Sequence, residues 1–301
     1  MSVRITALTD PEHHPSGRRL VWLASDGEGC PVGSAHLRLF TRPGQDHLAE
    51  LELHVHPAER RAGAGSRLLE AALDAARHDG RRSVITQAGS GSIGERFLVS
   101  RGFRAVLVLI FARLALVDTD VPALDAAVGQ PHPGYRLVSW DGTVPDDLAE
   151  TFAVSHRAMD DMPMGETDYG SVVWDADRVR EAAEAVAKRG GLLHTVAAVA
   201  ESDGSIAGFT ELVVPGDGTG DAQHYGTAVL PEHRGHGLGH WMKAEAIRQA
   251  RGRHPGLGGL LTDTADNNLP MRAVNDALGY VPTHRTIEYQ LALRPAGGVD
   301  S

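Results

Sequence analysis

The sequence predicts a mixed α/β protein, strictly α+β with a mixed sheet, built as two tandem domains. Three observations carry this. The first is a strand, a glycine-rich turn and a helix start in immediate succession. Tyr225 to Leu230 is β-prone, Pro231 stops it, and Arg234-x-x-Gly237-x-Gly239 follows. Leu238, Met242 and Ile247 then open a helical pattern with Lys243 and Arg248 expected outside. The second is that the chain repeats the device. Displaced by 174 residues, Val229, Pro231, Arg234, Gly237 and Gly239 fall on Val55, Pro57, Arg60, Gly63 and Gly65. Each copy is followed by a β-like stretch, a short helix and a Gly-aromatic pair, Gly102-Phe103 or Gly279-Tyr280. An internal duplication is the natural reading. The third is length, since 301 residues exceed one usual core. Domains are expected at residues 1–118 and 134–301. Residues 119–133, with Pro122, Pro131, Pro133 and Gly129, read as a linker that could hold a short helix at Ala123 to Val128.

In chain order, Val3-x-Ile5-x-Ala7 reads as an edge strand, followed by strands at Leu20 to Ala24, Pro31 to Leu39 and Glu50 to His56. Turn signals at His14 to Gly17 and Asp26 to Gly29 suit an antiparallel meander. No helical stretch separates the first two strands. Phe103 to Val117 reads as the first domain's own β-rich end. The second domain opens with a strand at Tyr135 to Trp140 and a helix whose apolar face is Leu148, Phe152, Val154 and Met159. A second helix spans Asp177 to Lys188, and strands follow at Leu192 to Ala200, Ile206 to Val214 and His224 to Val229. The second half therefore has helices where the first has none.

Composition excludes several classes. Apolar residues at 42% and charged residues at 23% are those of a folded globular chain. The longest apolar run, Ala105 to Ala112, is far short of a membrane span, and the N-terminus lacks an apolar signal core, so a cytoplasmic protein without membrane attachment is expected. A net charge of −10 argues against nucleic acid and suits a cationic small substrate. Cys30 is the only cysteine, so no intramolecular disulfide can form. Sixteen histidines invite a metal, but His236/His240 and His54/His56 lack a third ligand at a known spacing, and no metal is expected.

A strand that feeds a glycine turn and a helix start is an anion site, because the first-turn N–H groups have no intrahelical partner and the helix dipole adds positive charge there. Arg-x-x-Gly-x-Gly after a Val-x-Pro strand end, with Asn268, Ala273 and Leu278-Gly279-Tyr280 behind it, resembles the GNAT acetyltransferase superfamily. Thr-Ala-Val-Leu-Pro-Glu-His-Arg-Gly and Met271 to Asn275 also resemble its actinobacterial tandem branch. The resemblance implies two tandem GNAT-like domains, the first reduced on its substrate side, and acetyl-CoA as co-substrate. It places Val229, Arg234, Gly235, His236, Gly237, Leu238, Gly239, His240, Asn268 and Asn275 around the nucleotide. Arg60, Gly63 and Gly65 would be a second cofactor site. The superfamily's thiolate-protonating tyrosine falls on Leu98 in the first copy, which has no proton to give, and on Asn275 in the second. An amide cannot act as an acid near neutral pH. The expected chemistry is direct attack of a small-molecule primary amine on the thioester in the second domain. Glu211 and His224 are the candidate bases, with Asn275 beside the leaving group. Asp160, Asp161, Met162 and Glu166 sit where an acceptor wall is expected. Monomer with pseudo-dimeric domains, or homodimer, both suit this reading. A non-catalytic acyl-CoA sensor and a scaffold protein are the rival expectations.

Overall fold

The computed structural model describes residues 3–8, 17–159, 165–170 and 172–293. They form two compact units.

Unit 1 comprises the described parts of residues 1–108, 165–172 and 286–301. Its strands β1 (Arg4–Leu8), β2 (Gly17–Ser25), β3 (Pro31–Phe40) and β4 (Leu48–Val55) form an antiparallel meander. Helix α1 (Ala64–His78) crosses over to β5 (Ser83–Gly89), which runs parallel to β4. Helix α1 buries Ala64, Leu68, Leu69, Ala72, Leu73 and Ala76, a 3.6-residue stripe that packs on Leu37, Leu39 and Leu51 of the sheet. Helix α2 (Ile93–Ser100) starts at Ser92, whose hydroxyl accepts from the Glu95 N–H at 3.1 Å. Residues 9–16, where this half lacks a predicted helix, lie outside the described residues.

Strand β6 (Arg104–Ala115) departs from the sequence reading. Its second half, Leu109 to Ala115, belongs to unit 2, where it pairs antiparallel with β11 (Leu257–Ala265). The reason is burial: Ala112, Leu114 and Leu116 share one core with Ile247, Leu260 and Tyr280. Reciprocally, Thr286 to Ala292 of β12 (Val281–Ala292) pair with β5 in unit 1. Both units are thus completed by a strand from the other half of the sequence.

The rest of unit 2 contains α3 (Val121–Gly129), inside the segment read as a linker. Asp120 caps it by accepting from the Ala123 N–H, Leu124 is buried, and the Trp241 indole donates to the Val128 carbonyl at 2.9 Å. Strand β7 (Tyr135–Asp141) leads to α4 (Ala149–Ser155) and α5 (Ala176–Lys188), the latter capped by Asp175. Val154, expected on the apolar face of α4, is half exposed. Strands β8 (Gly191–Ala200), β9 (Ile206–Pro215) and β10 (Gly220–Val229) continue an antiparallel order from β7, and β11 is parallel to β10. Between the parallel pair lies α6 (Leu238–Arg253), and α7 (Leu269–Ala277) follows β11. Among the described residues no helix is long and apolar enough to cross a membrane, and no group of three or more His, Cys, Asp or Glu is placed to hold a metal.

Candidate functional site

The site in unit 2 begins where two parallel strands stop pairing. Strand β10 pairs with β11 only from Gly220 to Gln223, although it continues to Val229, and β11 continues from Leu261 to Ala265. A register shift between His224 and Gly226 on the β9 side bends β10 at the point of divergence. The edge from Thr227 to Val229 is therefore not paired with β11. A cleft of about 520 Å³ opens there, lined by Thr227, Ala228 and Val229 on one side and by Asn268, Met271 and Val274 on the other. Its third wall is the loop from Arg234 to Gly237 and the first turn of α6.

That loop is shaped by two left-handed glycines, Gly235 (φ 84°) and Gly237 (φ 74°), the latter the N-cap of α6. A side chain at Gly235 would enter open space, so nothing covers the amides on that side. These features fit a diphosphate: two left-handed glycines leading into a helix N-terminus, open space beside Gly235, and an adjoining cleft. Arg234 is tied to the loop, its Nε donating to the Val229 carbonyl at 3.1 Å. His240 and Leu238 also line the cleft, and His236 is exposed beside it. The Asn268 side chain accepts from the Met271 N–H at 3.3 Å and caps α7, so it combines the cap and the cleft wall.

Asn275 does not line the cleft; it is buried and spent elsewhere. Its Oδ1 accepts from Lys243 Nζ at 2.8 Å and its Nδ2 donates to Thr264 Oγ1 at 3.0 Å. Lys243, expected on the outer face of α6, is instead fully enclosed, and its ammonium lies 4.9 Å from the centre of the Tyr280 ring. Desolvation brings its pKa down to about 7, against the pull of Asp263. His224 joins the same interior. Its Nε2 meets the Tyr280 hydroxyl at 2.8 Å, and burial, then the Lys243 charge, hold it neutral with a pKa well below the usual imidazole value. His224 thus faces a hydrogen-bonded core and is not among the residues that line the cleft.

Glu211 is placed differently. It pairs with Gly226 on the β9–β10 ladder, one step from the cleft edge at Thr227, and shares the face of Phe209. Its carboxyl has no hydrogen-bond or ion-pair partner among the described residues, and desolvation raises it to about 7. On that face Phe209 stacks on His156 at 4.4 Å, and His156 in turn meets Trp174 and Phe152. His156 donates from Nδ1 to the Phe152 carbonyl, and burial lowers its pKa to about 4, so it is a neutral aromatic spacer. This aromatic floor was not read from the sequence, because its members are scattered between Phe152 and Phe209 without a shared period.

Asp160, Asp161 and Met162, expected in an acceptor wall, lie outside the described residues. Glu166 is exposed and belongs to a segment of unit 1, where its N–H donates to the Val106 carbonyl at 3.1 Å. Within that segment the Thr167 and Tyr169 hydroxyls donate to buried Glu288 at 3.2 and 2.5 Å. Gly165 and Gly170, both left-handed, sit against the Val106 and Gly44 carbonyls too closely for any side chain. In unit 1 the room beside Gly65 is bounded by the side chains of Val55, Phe97 and Leu53, all packed against the core of that unit. Arg101 lies over Phe97 and reaches the Ser66 hydroxyl.

A parallel strand pair joined through a glycine loop and a helix, set in a mixed sheet, is present here twice. The chain belongs to the acetyltransferase (GNAT) family, whose pattern matches residues 3–103 and 157–280. It is 28% identical over 273 residues to the mycothiol acetyltransferase of Thermomonospora curvata, covering 89% of this chain and 81% of that one. It is 29% identical over 259 residues to that of Sanguibacter keddieii, covering 84% and 76%. A solved tandem GNAT protein from the clavulanic acid biosynthesis pathway superposes with a TM-score of 0.75 at 26% identity, over 95% of this chain and 85% of that one. A GCN5-related N-acetyltransferase from Sphaerobacter thermophilus shares the fold at a TM-score of 0.65 and 17% identity, over 93% and 82% of the two chains.

Proposed function

We propose that unit 2 binds acetyl-CoA in the cleft beside α6 and transfers its acetyl group to a primary amine of a small molecule, with Glu211 accepting the amine's proton. The single observation that supports this most strongly is the divergence of β10 from β11 directly onto the Gly235–Gly239 amides. The co-substrate supplies an activated thioester. The chain supplies anion-binding amides from Gly235 to His240, a strand edge at Thr227 to Val229 to align the arm, and a desolvated carboxylate one ladder step away. Holding two reactants in line accounts for much of such a rate. Asn275, engaged with Lys243 and Thr264, leaves the departing thiolate unprotonated by that residue; a thiol pKa of roughly 8.5 makes departure as the anion tolerable. Unit 1, with Phe97 beside Gly65, is proposed to be non-catalytic.

The test is free-thiol release from acetyl-CoA with a panel of amines that includes the acceptor of the mycothiol acetyltransferases. Glu211 is active when deprotonated and its carboxyl is raised to about 7, so kcat/KM is expected to climb with pH through about 7 and then level. Glu211→Gln should lower kcat/KM by roughly 10²-fold or more and remove that limb. An unchanged profile in the variant would exclude Glu211 as the base. A second reading, an acyl-CoA sensor without turnover, is favoured by the engagement of Asn275. It predicts tight binding with no thiol released by any acceptor.

A further inference from the structure

A second cavity of about 370 Å³ adjoins the α6 N-terminus, sharing only Gly237 and His240 with the cleft. Three imidazoles line it: His132 from the segment before β7, His236 from the glycine loop and His240 from the first turn of α6. The remaining titratable group in its wall is Tyr135, whose hydroxyl meets His233 Nδ1 at 3.0 Å. No carboxylate, lysine or arginine lines it among the described residues. A positive charge can arise there only by protonating histidine.

His132 is held for such a role. Its ring stacks on Trp241 at 4.0 Å between centres and within 9° of parallel. Its Nδ1 lies 2.8 Å from the Gln130 carbonyl, which can only accept, so Nδ1 carries the proton. Nε2 is thereby directed at Gly237, where a Cβ would approach it to 3.4 Å. When neutral, that nitrogen offers a lone pair; when protonated, it offers a second donor beside the first amides of α6. A helix N-terminus disfavours an imidazolium, and His240 is held below its usual pKa by burial and then by the His132 charge. An anion between them reverses both effects. Ligand binding and proton uptake must then be coupled.

We propose that the His132–His236–His240 cavity is a proton-coupled site for a phosphate group, either the 3′-phosphate of the CoA bound in the neighbouring cleft or a separate phosphate. The first form rests on the acyl-CoA reading; the second does not.

The experiment is calorimetric titration of CoA, 3′-dephospho-CoA and inorganic phosphate at pH 6, 7 and 8. It uses the wild type, His132→Phe, which keeps a ring on Trp241, and His236→Gln as a second variant at a different wall. One charge-assisted hydrogen bond gained is worth about tenfold in affinity. CoA is expected to tighten by about that factor from pH 8 to 6, and dephospho-CoA by less than threefold, with both variants flattening the CoA response. Below pH 6 the gain should fade as the phosphate takes its own second proton, at a pKa of about 6. If the two nucleotides behave alike but inorganic phosphate binds more tightly at low pH, and the variants abolish this, the site takes a separate phosphate. If no ligand shows a pH response that the variants remove, the proposal is overturned. CoA binding with no such response leaves the acyl-CoA reading intact, whereas CoA binding at no pH defeats that reading and leaves the phosphate titration to decide this one.

Discussion

The two copies of the loop share a backbone and differ in what is packed behind it. Arg60 donates to the Val55 carbonyl at 3.2 Å and Arg234 to the Val229 carbonyl at 3.1 Å. Gly63 and Gly237 are both left-handed N-caps. Behind this common frame, Leu69 and Leu98 are buried in the hydrocarbon core of unit 1. The corresponding residues in unit 2 are Lys243 and Asn275, buried and hydrogen-bonded to each other. One copy has Phe97 beside its second glycine; the other has a cleft bounded by Val274. The shared arginine and glycines therefore specify the turn, and the residues behind them decide whether a slot opens.

The largest effect should come from treating the two loops identically. Gly237→Asp places a carboxylate at the α6 N-cap, where the diphosphate is proposed to sit, and a side chain against His132. We expect acetyl-CoA affinity to fall by more than about 100-fold, from repulsion and lost amide access together. Gly63→Asp at the matching cap strains a left-handed residue by roughly 1 kcal/mol but should leave affinity and turnover within about twofold. Calorimetric titration of both variants separates the outcomes; equal losses would make the first copy a binding site too.

Next comes the buried pair. Lys243→Leu leaves the Asn275 carbonyl oxygen unsatisfied, and Asn275→Leu leaves an ammonium without its acceptor. Each should cost about 2–4 kcal/mol in urea unfolding, while the double variant, which restores the Leu·Leu pair of unit 1, should recover most of that. The pH dependence follows from the same burial. Between about 7 and the unfolded value near 10.4, the unfolded chain holds the lysine proton and the folded one does not. Stability therefore rises with pH in that window, by up to about 1 kcal/mol per unit, and the burial penalty is complete below it. A Lys243→Met variant should lack that slope. Additive single losses, with no recovery in the double variant, would mean that the two residues act separately.

This pair also marks the limit of what the sequence discloses. Strand, turn and helix order, the duplication and the family were legible, because each is written in contiguous residues and in fixed spacing. Lys243 was read as outward, since a helical pattern cannot show that an amide 32 residues later will receive the amine. The second half of β6 pairs with β11, which its alternation does not disclose, being equally compatible with either sheet; the packing of Ala112 and Leu114 with Leu260, Tyr280 and α6 accompanies that pairing. Likewise, His224 and Glu211 looked equivalent as acid–base candidates. His224 is paired with Leu212, which faces the core of α6 and Tyr280, while Glu211, the next residue along β9, points to the opposite face.

The smallest expected effect tests the frame itself. At the position of Gly235 (φ 84°) the first copy has Arg61, the one left-handed non-glycine residue among those described, at φ 71°. An L-residue in that region is strained by roughly 1–2 kcal/mol, while glycine loses some of the gain through its greater freedom when unfolded. Arg61→Gly should therefore stabilise the protein by up to about 1 kcal/mol, seen as a rise in urea midpoint with an unchanged slope. Gly235→Arg should destabilise by a similar amount and also weaken acetyl-CoA binding, because in unit 2 the added side chain would stand over amides that the proposed nucleotide needs. If Gly235→Arg bound acetyl-CoA normally, the open space above that turn would not be where the diphosphate sits.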